Sequence, residues 1–197
     1  MAQILIQFNP AEFNYNLDDF DFPTYIPVLW QNRVMIGELQ RSGESVFRTG
    51  TDSAGNSSCS ELRADGRLTI TTNAIFLQED RTEYSAQFYY EIILRILESL
   101  LLFKKCQSNP PITIIIQGTD LENVVLDGKH YIDYHQLENE EFTLQSYSHC
   151  DCEIFLALIH NWMEQMGIER NMLNILQYNY ATDIQNLIMR IAEESPF

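Results

Sequence analysis

Between Thr82 and Lys105 the chain carries apolar residues so densely that a single helix face cannot hold them. Tyr84, Phe88, Ile92, Ile96 or Leu97, Leu100 and Phe103 recur at spacings of three to five, the signature of a helix. Ile93, Leu94, Leu101 and Leu102 widen the stripe around most of the circumference. A helix that is apolar nearly all round is covered on both faces. The sequence therefore demands either a central core helix, with other elements packed on two sides, or a helix partly covered by another subunit. Thr82 is placed to cap its start, and Lys104 and Lys105 sit at the negative end of its dipole.

What surrounds the helix reads as an antiparallel sheet and a helical C-terminal third. ILIQF at 4–8 is a short strand, and RLTITTNAIFLQ at 67–78 carries Leu68, Ile70 and Thr72 in alternation with Thr69 and Thr71. IPVLW at 26–30 and VMIGELQ at 34–40 read as a hairpin turning at Gln31, Asn32 and Arg33; Ser42-Gly43 turns the chain again into SVFRTG. The β-branched run ITIII at 112–116 predicts a central strand buried on both faces. Asp127-Gly128 marks a hairpin between LENVVL and HYIDYHQL, and a further strand starts at Glu141. The segment 13–25 is expected to be irregular, and 49–66, rich in Gly, Ser, Asn and Asp, to be a long exposed loop.

From Ser148 the period changes. Cys152, Phe155, Leu156, Ile159, Met163 and Met166 form one stripe ending at Gly167, with Ser148 and Asp151 spaced as a capping box. Two shorter helices, about 170–178 and 181–194, are expected to follow. The fold class is thus α+β, and 197 residues fit one domain spanning 1–197.

Charge bounds the function. With 28 Asp and Glu against 12 Lys and Arg, the formal net charge is −16, which opposes direct nucleic-acid binding and anionic membranes. Residues 31–70 hold five charges of each sign, so the whole excess lies elsewhere; Glu12, Asp18, Asp19 and Asp21 precede that stretch with no base among them. Four cysteines in a chain of this length do not make a disulfide framework, and free thiols fit a reducing cytoplasm. The start MAQILIQFNPAEF shows no basic region followed by an apolar one, so no export signal is expected. The longest apolar stretch, Ile92 to Phe103, is interrupted by Arg95, Glu98 and Ser99 and falls short of the roughly 20 residues a bilayer requires.

The candidate sites are three. Asp18, Asp19 and Asp21 are interleaved with Tyr15, Phe20, Phe22 and Tyr25; aromatics among carboxylates suit a basic groove, the rings supplying contact area and the charges orientation. Asp18, Asp19, Phe20, Asp21, Phe22 and Tyr25 are therefore the partner-binding candidates. A second group draws on the His, Cys and Asp density at 130–164, where His135, His149, Cys150 and His160 are candidate metal ligands, although neither paired C-x2-C nor H-E-x-x-H occurs. Cys150, near a helix N-terminus, is the thiol with a mechanism for activation. A third, nuclease-like set is Glu38, Asp52, Glu61 and Asp65. Arg48, Arg63 and Arg67 around the 49–66 stretch are the candidate contacts for an anionic group.

No nucleotide-binding loop, nucleophile triad or cofactor motif is legible, so no cofactor is expected and a binding protein is expected over an enzyme. In concrete form, the chain reads as an acidic cytoplasmic binding or inhibitory protein, of the antitoxin, immunity or anti-defence type. It would occlude a basic site on a protein partner. The alternatives are a metal-dependent hydrolase or nuclease built on the 130–164 cluster, and a subunit of a larger assembly, homo-oligomeric if the 82–105 helix is half interface.

Overall fold

Alternating burial along 3–10, 57–63, 68–72 and 112–119 gives the main sheet one core-facing side. The computed structural model describes residues 3–20, 34–52, 57–73, 84–119, 124–126, 130–132, 140–165 and 170–193. The strands are β1 (Gln3–Pro10), β2 (Val34–Ile36), β3 (Gln40–Ser42), β4 (Ser45–Asp52), β5 (Ser57–Arg63), β6 (Leu68–Thr72), β7 (Ile112–Thr119), β8 (Val124–Leu126), β9 (His130–Ile132) and β10 (Glu140–Leu144). The helices are α1 (Tyr84–Lys105), α2 (His149–Gln165) and α3 (Arg170–Glu193). The main sheet runs β10-β7-β1-β6-β5-β4-β2, with β3 also on β4, and every pairing is antiparallel. β8 and β9 form a separate hairpin. This is the expected α+β architecture.

β2 and β3 are two halves of one edge. Ile36 pairs with Gly50 and Gln40 with Phe47, so three residues oppose two and the edge carries a bulge at 37–39. The two-residue turn after β3 places Gly43 at φ +58°, which fits a type II′ hairpin. Between β5 and β6, Gly66 adopts φ +84° and lies against the Phe13 ring.

One face of the sheet is the core face. Val46, Leu62, Leu68, Phe8, Ile114 and Phe142 line up across six strands, all buried. α1 lies on this face: Phe103 packs against Phe8 with ring centroids 5.8 Å apart. Ile92, Ile93, Ile96, Leu97, Leu100, Leu101, Leu102 and Phe103 are all buried, each contributing about 1.5–3 kcal/mol of transfer free energy. Of residues 92–105 only Leu94, Glu98 and Lys105 keep partial exposure. The second side of α1 is covered from within the chain by α3, which contributes Ile184, Ile188 and Ile191 to the same core. From Ile92 to Phe103 the wide stripe is thus covered from within the chain.

Three expectations need correction. The 49–66 stretch is not a long loop: it contains the end of β4 and all of β5, with Ser58, Ser60 and Leu62 facing the core. β7 is buried on one face only, since Ile112, Ile114 and Ile116 are buried while Thr113 and Ile115 are half-buried on the other side. α3 is one helix rather than two, continuous through Ala181. Residues 26–30 lie outside the described residues.

The ends of α1 and α2 show how local sequence fixes the chain path. α1 ends in a Schellman arrangement: Gln107 takes φ +55° and the Ser108 amide donates to the Phe103 carbonyl at 2.9 Å. α2 begins with Ser148 Oγ accepting from the Asp151 amide at 3.2 Å. The Asp151 carboxylate turns to the Ser146 hydroxyl, rather than closing the box onto the Ser148 amide.

Two outcomes follow. A Cβ on Gly66 would sit 2.4 Å from Phe13 Cβ, so Gly66→Ala is expected to cost about 2 kcal/mol or more in urea unfolding. Phe13→Ala in the same chain should recover part of that loss, giving a non-additive double-mutant cycle. Glu98, beside Arg95 at 2.6 Å, has its carboxyl raised by burial, opposed by Arg95 and then Arg190. A raised folded-state value means wild-type stability falls as pH climbs from the unfolded carboxylate range through the folded one. Glu98→Gln lacks that proton equilibrium, so its urea midpoint should gain on wild type between pH 5 and pH 8.

Candidate interaction surfaces

The acidic and aromatic segment after β1 is a pinned crossing rather than a free arm. The Ala11 amide donates to the Pro111 carbonyl at 3.0 Å, and Ser108 Oγ donates to the Glu12 carbonyl at 2.8 Å. Phe13 meets Phe103 edge-on at 6.4 Å, and Tyr15 meets Phe20 in the same way at 6.4 Å. A single 3-10 turn covers Leu17–Asp19, capped by the Asn16 side chain accepting from the Asp18 amide at 3.1 Å. The Arg41 guanidinium, reaching from β3, donates to the Leu17 carbonyl and, at 2.7 Å, to the Phe20 carbonyl.

This arrangement divides the predicted partner-binding residues. Phe20 is only 3% exposed and belongs to the core, so it is no contact anchor. Asp18 and Asp19 are exposed, and the Tyr15 hydroxyl donates to the Asp19 carbonyl at 3.0 Å, holding the turn. Asp21, Phe22 and Tyr25 lie outside the described residues. Sequence reasoning missed Arg41, whose carbonyl contacts are set by the core-facing register Arg41–Val46 at the edge of the sheet.

The metal candidates do not converge. His149 and Cys150 open α2, and His160 lies eleven residues further along the same helix, an axial separation of about 16 Å. One ion cannot span that distance. His149 faces Gln185 of α3 at 3.3 Å and Glu153 at 3.9 Å, whereas His135 lies outside the described residues. Among the described residues no group of three His, Cys, Asp or Glu is placed to hold a metal.

The nuclease-like carboxylates are likewise dispersed or engaged. Glu61 is 3.3 Å from Arg63 and Asp65 is 3.5 Å from Arg67, while Glu38 is exposed on the edge bulge. The Asp52 side chain is not among those described. Arg48 Nε donates to the Gly37 carbonyl at 3.0 Å, closing the bulge. Arg48, Arg63 and Arg67, the candidate anion contacts, each also meet a partner within the fold. Glu44, Ser45, Glu61, Arg63, Ala64 and Asp65 line an open depression of about 330 Å³ between two hairpin tips.

The surface that the sequence did not disclose is on α2. Cys150, Glu153, Ile154, Ala157, Leu158, Asn161 and Gln165 are exposed, at the spacing of one helix face. Ile154 is 56% exposed and Leu158 39%, one turn apart with Ala157 between them. An outward helix face is ordinarily charged or polar; this one is apolar at its centre. The surrounding sequence carries eight acids at 130–169 (Asp133, Glu138, Glu140, Glu141, Asp151, Glu153, Glu164 and Glu169) and no Lys or Arg. The available signal was this gap in basic residues together with the i, i+4 pair Ile154 and Leu158, lying outside the buried stripe.

Behind that face is a buried polar joint. Lys104 donates to the Ile191 carbonyl in the last turn of α3 and lies 5.7 Å from the Tyr147 ring centroid. The Tyr147 hydroxyl donates to the Ser108 carbonyl at 2.8 Å. Burial, with Cys106 and then Cys152 nearby, raises the Tyr147 hydroxyl. Burial pushes Cys106 up to about 12 and Cys152 up to about 11; for Cys152 Asp151 adds to the rise and Lys104 opposes it. These thiols are neutral and enclosed, which makes them structural.

Reaction with Ellman's reagent at pH 8 should therefore separate the four cysteines. Cys150, exposed, reacts first, and Cys150→Ser removes the fast phase. Cys59, partly buried and raised by burial and by Glu61, follows slowly. Cys106 and Cys152 should react only when the protein is unfolded.

Comparison of the chain with known proteins finds no matching family model, no matching curated protein and no matching solved structure.

Proposed function

We propose that the protein is an acidic binding protein of the inhibitory kind, whose carboxylate-bearing surface occludes a basic site on a protein partner in the cytoplasm. Antitoxins, immunity proteins, nuclease inhibitors and anti-defence proteins work in this way. The observation that carries the reading is the turn at 17–19. Asp18 and Asp19 are exposed, while the backbone beneath them is fixed by Asn16, Tyr15 and Arg41. Charges on a preorganised turn lose little conformational entropy on binding. They are part of a net −16 that steers a basic partner from a distance. No described helix is long and apolar enough to cross a membrane, in keeping with a partner met in solution.

The metal-dependent hydrolase reading is the weaker one, because His149 and His160 stand at opposite ends of α2. The reading as a subunit of a larger assembly draws less on α1, whose Ile92–Phe103 segment packs within the chain.

The test is a charge reversal. Asp18→Lys/Asp19→Lys should slow association with a partner recovered from the producing cells by about tenfold at low salt. The unfolding free energy from urea titration should stay within about 0.5 kcal/mol of wild type, since both side chains are exposed. Unchanged association that also ignores salt would show that the charge only solubilises the chain.

A further inference from the structure

We infer that the outward face of α2, centred on Ile154 and Leu158, is the docking surface for a cationic amphipathic helix of the protein partner. The inference rests on the binding reading above and adds where the partner sits and what it presents.

The argument begins with what α2 does not need. Its packing is complete on the inner side, where Cys152, Phe155, Leu156, Ile159, Trp162 and Met163 are buried and Phe142 meets Phe155 edge-on at 5.6 Å. Ile154, Ala157 and Leu158 add nothing to that core and remain in water. Isolated exposed apolar residues are ordinary, but a contiguous apolar centre on an outward helix face marks an interaction site. Residues at i and i+4 present one ridge to a partner helix.

The identity of the occupant follows from charge. α2 carries Asp151, Glu153 and Glu164 and no Lys or Arg, and the neighbouring β10 exposes Glu141. His149 is the one titratable base at its start, and it faces Glu153 and Gln185. A second copy of the chain would bring another −16 against this face and is disfavoured by that repulsion. A helix with an apolar stripe flanked by Lys or Arg satisfies both features: its stripe covers Ile154 and Leu158, and its cations meet the carboxylates on either side.

The probe is a fluorescein-labelled amphipathic helical peptide of Leu and Lys, titrated by fluorescence anisotropy against the full chain. Saturable binding to wild type is expected, weakened about tenfold or more by Ile154→Ser/Leu158→Ser and likewise by Glu153→Lys. Both exposed substitutions should leave the helical circular dichroism unchanged. A peptide of the same pattern with Glu in place of Lys should not bind. The inference is overturned if the Leu/Lys peptide fails to bind, if Ile154→Ser/Leu158→Ser binds it as wild type does, or if the Glu peptide binds equally well. It is also overturned if wild type sediments as a dimer that Ile154→Ser/Leu158→Ser dissociates, which would make a second copy the occupant. Loss of peptide binding to α2, with Asp18→Lys/Asp19→Lys still slowing the captured partner, would remove this surface and leave the broader reading standing. Loss of both effects would remove the two together.

Discussion

The burial of α1 between the sheet and α3, from Ile92 to Phe103, is the constraint from which the rest of the structure follows. A helix whose Ile92 to Phe103 segment offers almost no polar surface must be sandwiched. The sheet supplies one wall with Phe8, Leu62, Leu68 and Ile114, and α3 supplies the other with Ile184, Ile188 and Ile191. Two charged groups enter this interior because each has a fixed partner: Arg95 donates to Glu98 one turn away, and Lys104 reaches the carbonyl end of α3. Lys104 thus joins the two helices at the point where the dipole of α3 is negative. Replacing the apolar contacts without these polar ones would leave the relative rotation of α1 and α3 less well specified.

The same joint connects the two proposed recognition surfaces. Ser108, just past α1, holds the 11–20 segment through Glu12 and holds the approach to α2 through Tyr147. Asp18 and Asp19 on one side, and the start of α2 on the other, are therefore referred to a common anchor. A partner that touched both would meet a rigid spacing, which favours specificity over adaptability.

Much of the architecture was legible from residues because it rests on periodicity and turn chemistry. The crowded stripe announced a covered helix, Asp127-Gly128 a hairpin, Ser42-Gly43 a turn, and Ser148 a helix start, and the described structure has each element. The loop reading of 49–66 failed because small polar residues at buried positions erase the alternation on which strand recognition depends. In β5 the core-facing positions are Ser58, Ser60 and Leu62, so a packed strand reads as a loop until its pairing with β4 and β6 is known. Phe20 failed in the opposite way, as an aromatic among aspartates whose burial is decided by Arg41 and Tyr15, neither a neighbour in sequence. In the candidate site, Asp18 and Asp19 were legible as exposed charges. The α2 face was not, because a sequence does not say whether Ile154 and Leu158, off the core stripe, are covered by another element until the packing around the helix is known.

The place of β1 in the sheet has a consequence for how the chain acquires its shape. The strands from 34 to 72 pair as successive hairpins and need only local loops to close, so they can assemble early. β1 does not share that advantage: Ile6 is flanked by Ile70 on one side and by Ile116 on the other, with the whole of α1 between those two partners in sequence. β1, the first of the described strands along the chain, is thus completed last on one edge. Until residues 112–119 have emerged, that edge of ILIQF is without its β7 partner and able to pair wrongly. Folding of this chain is governed by long-range closure, and β1 is the segment a chaperone would be expected to guard.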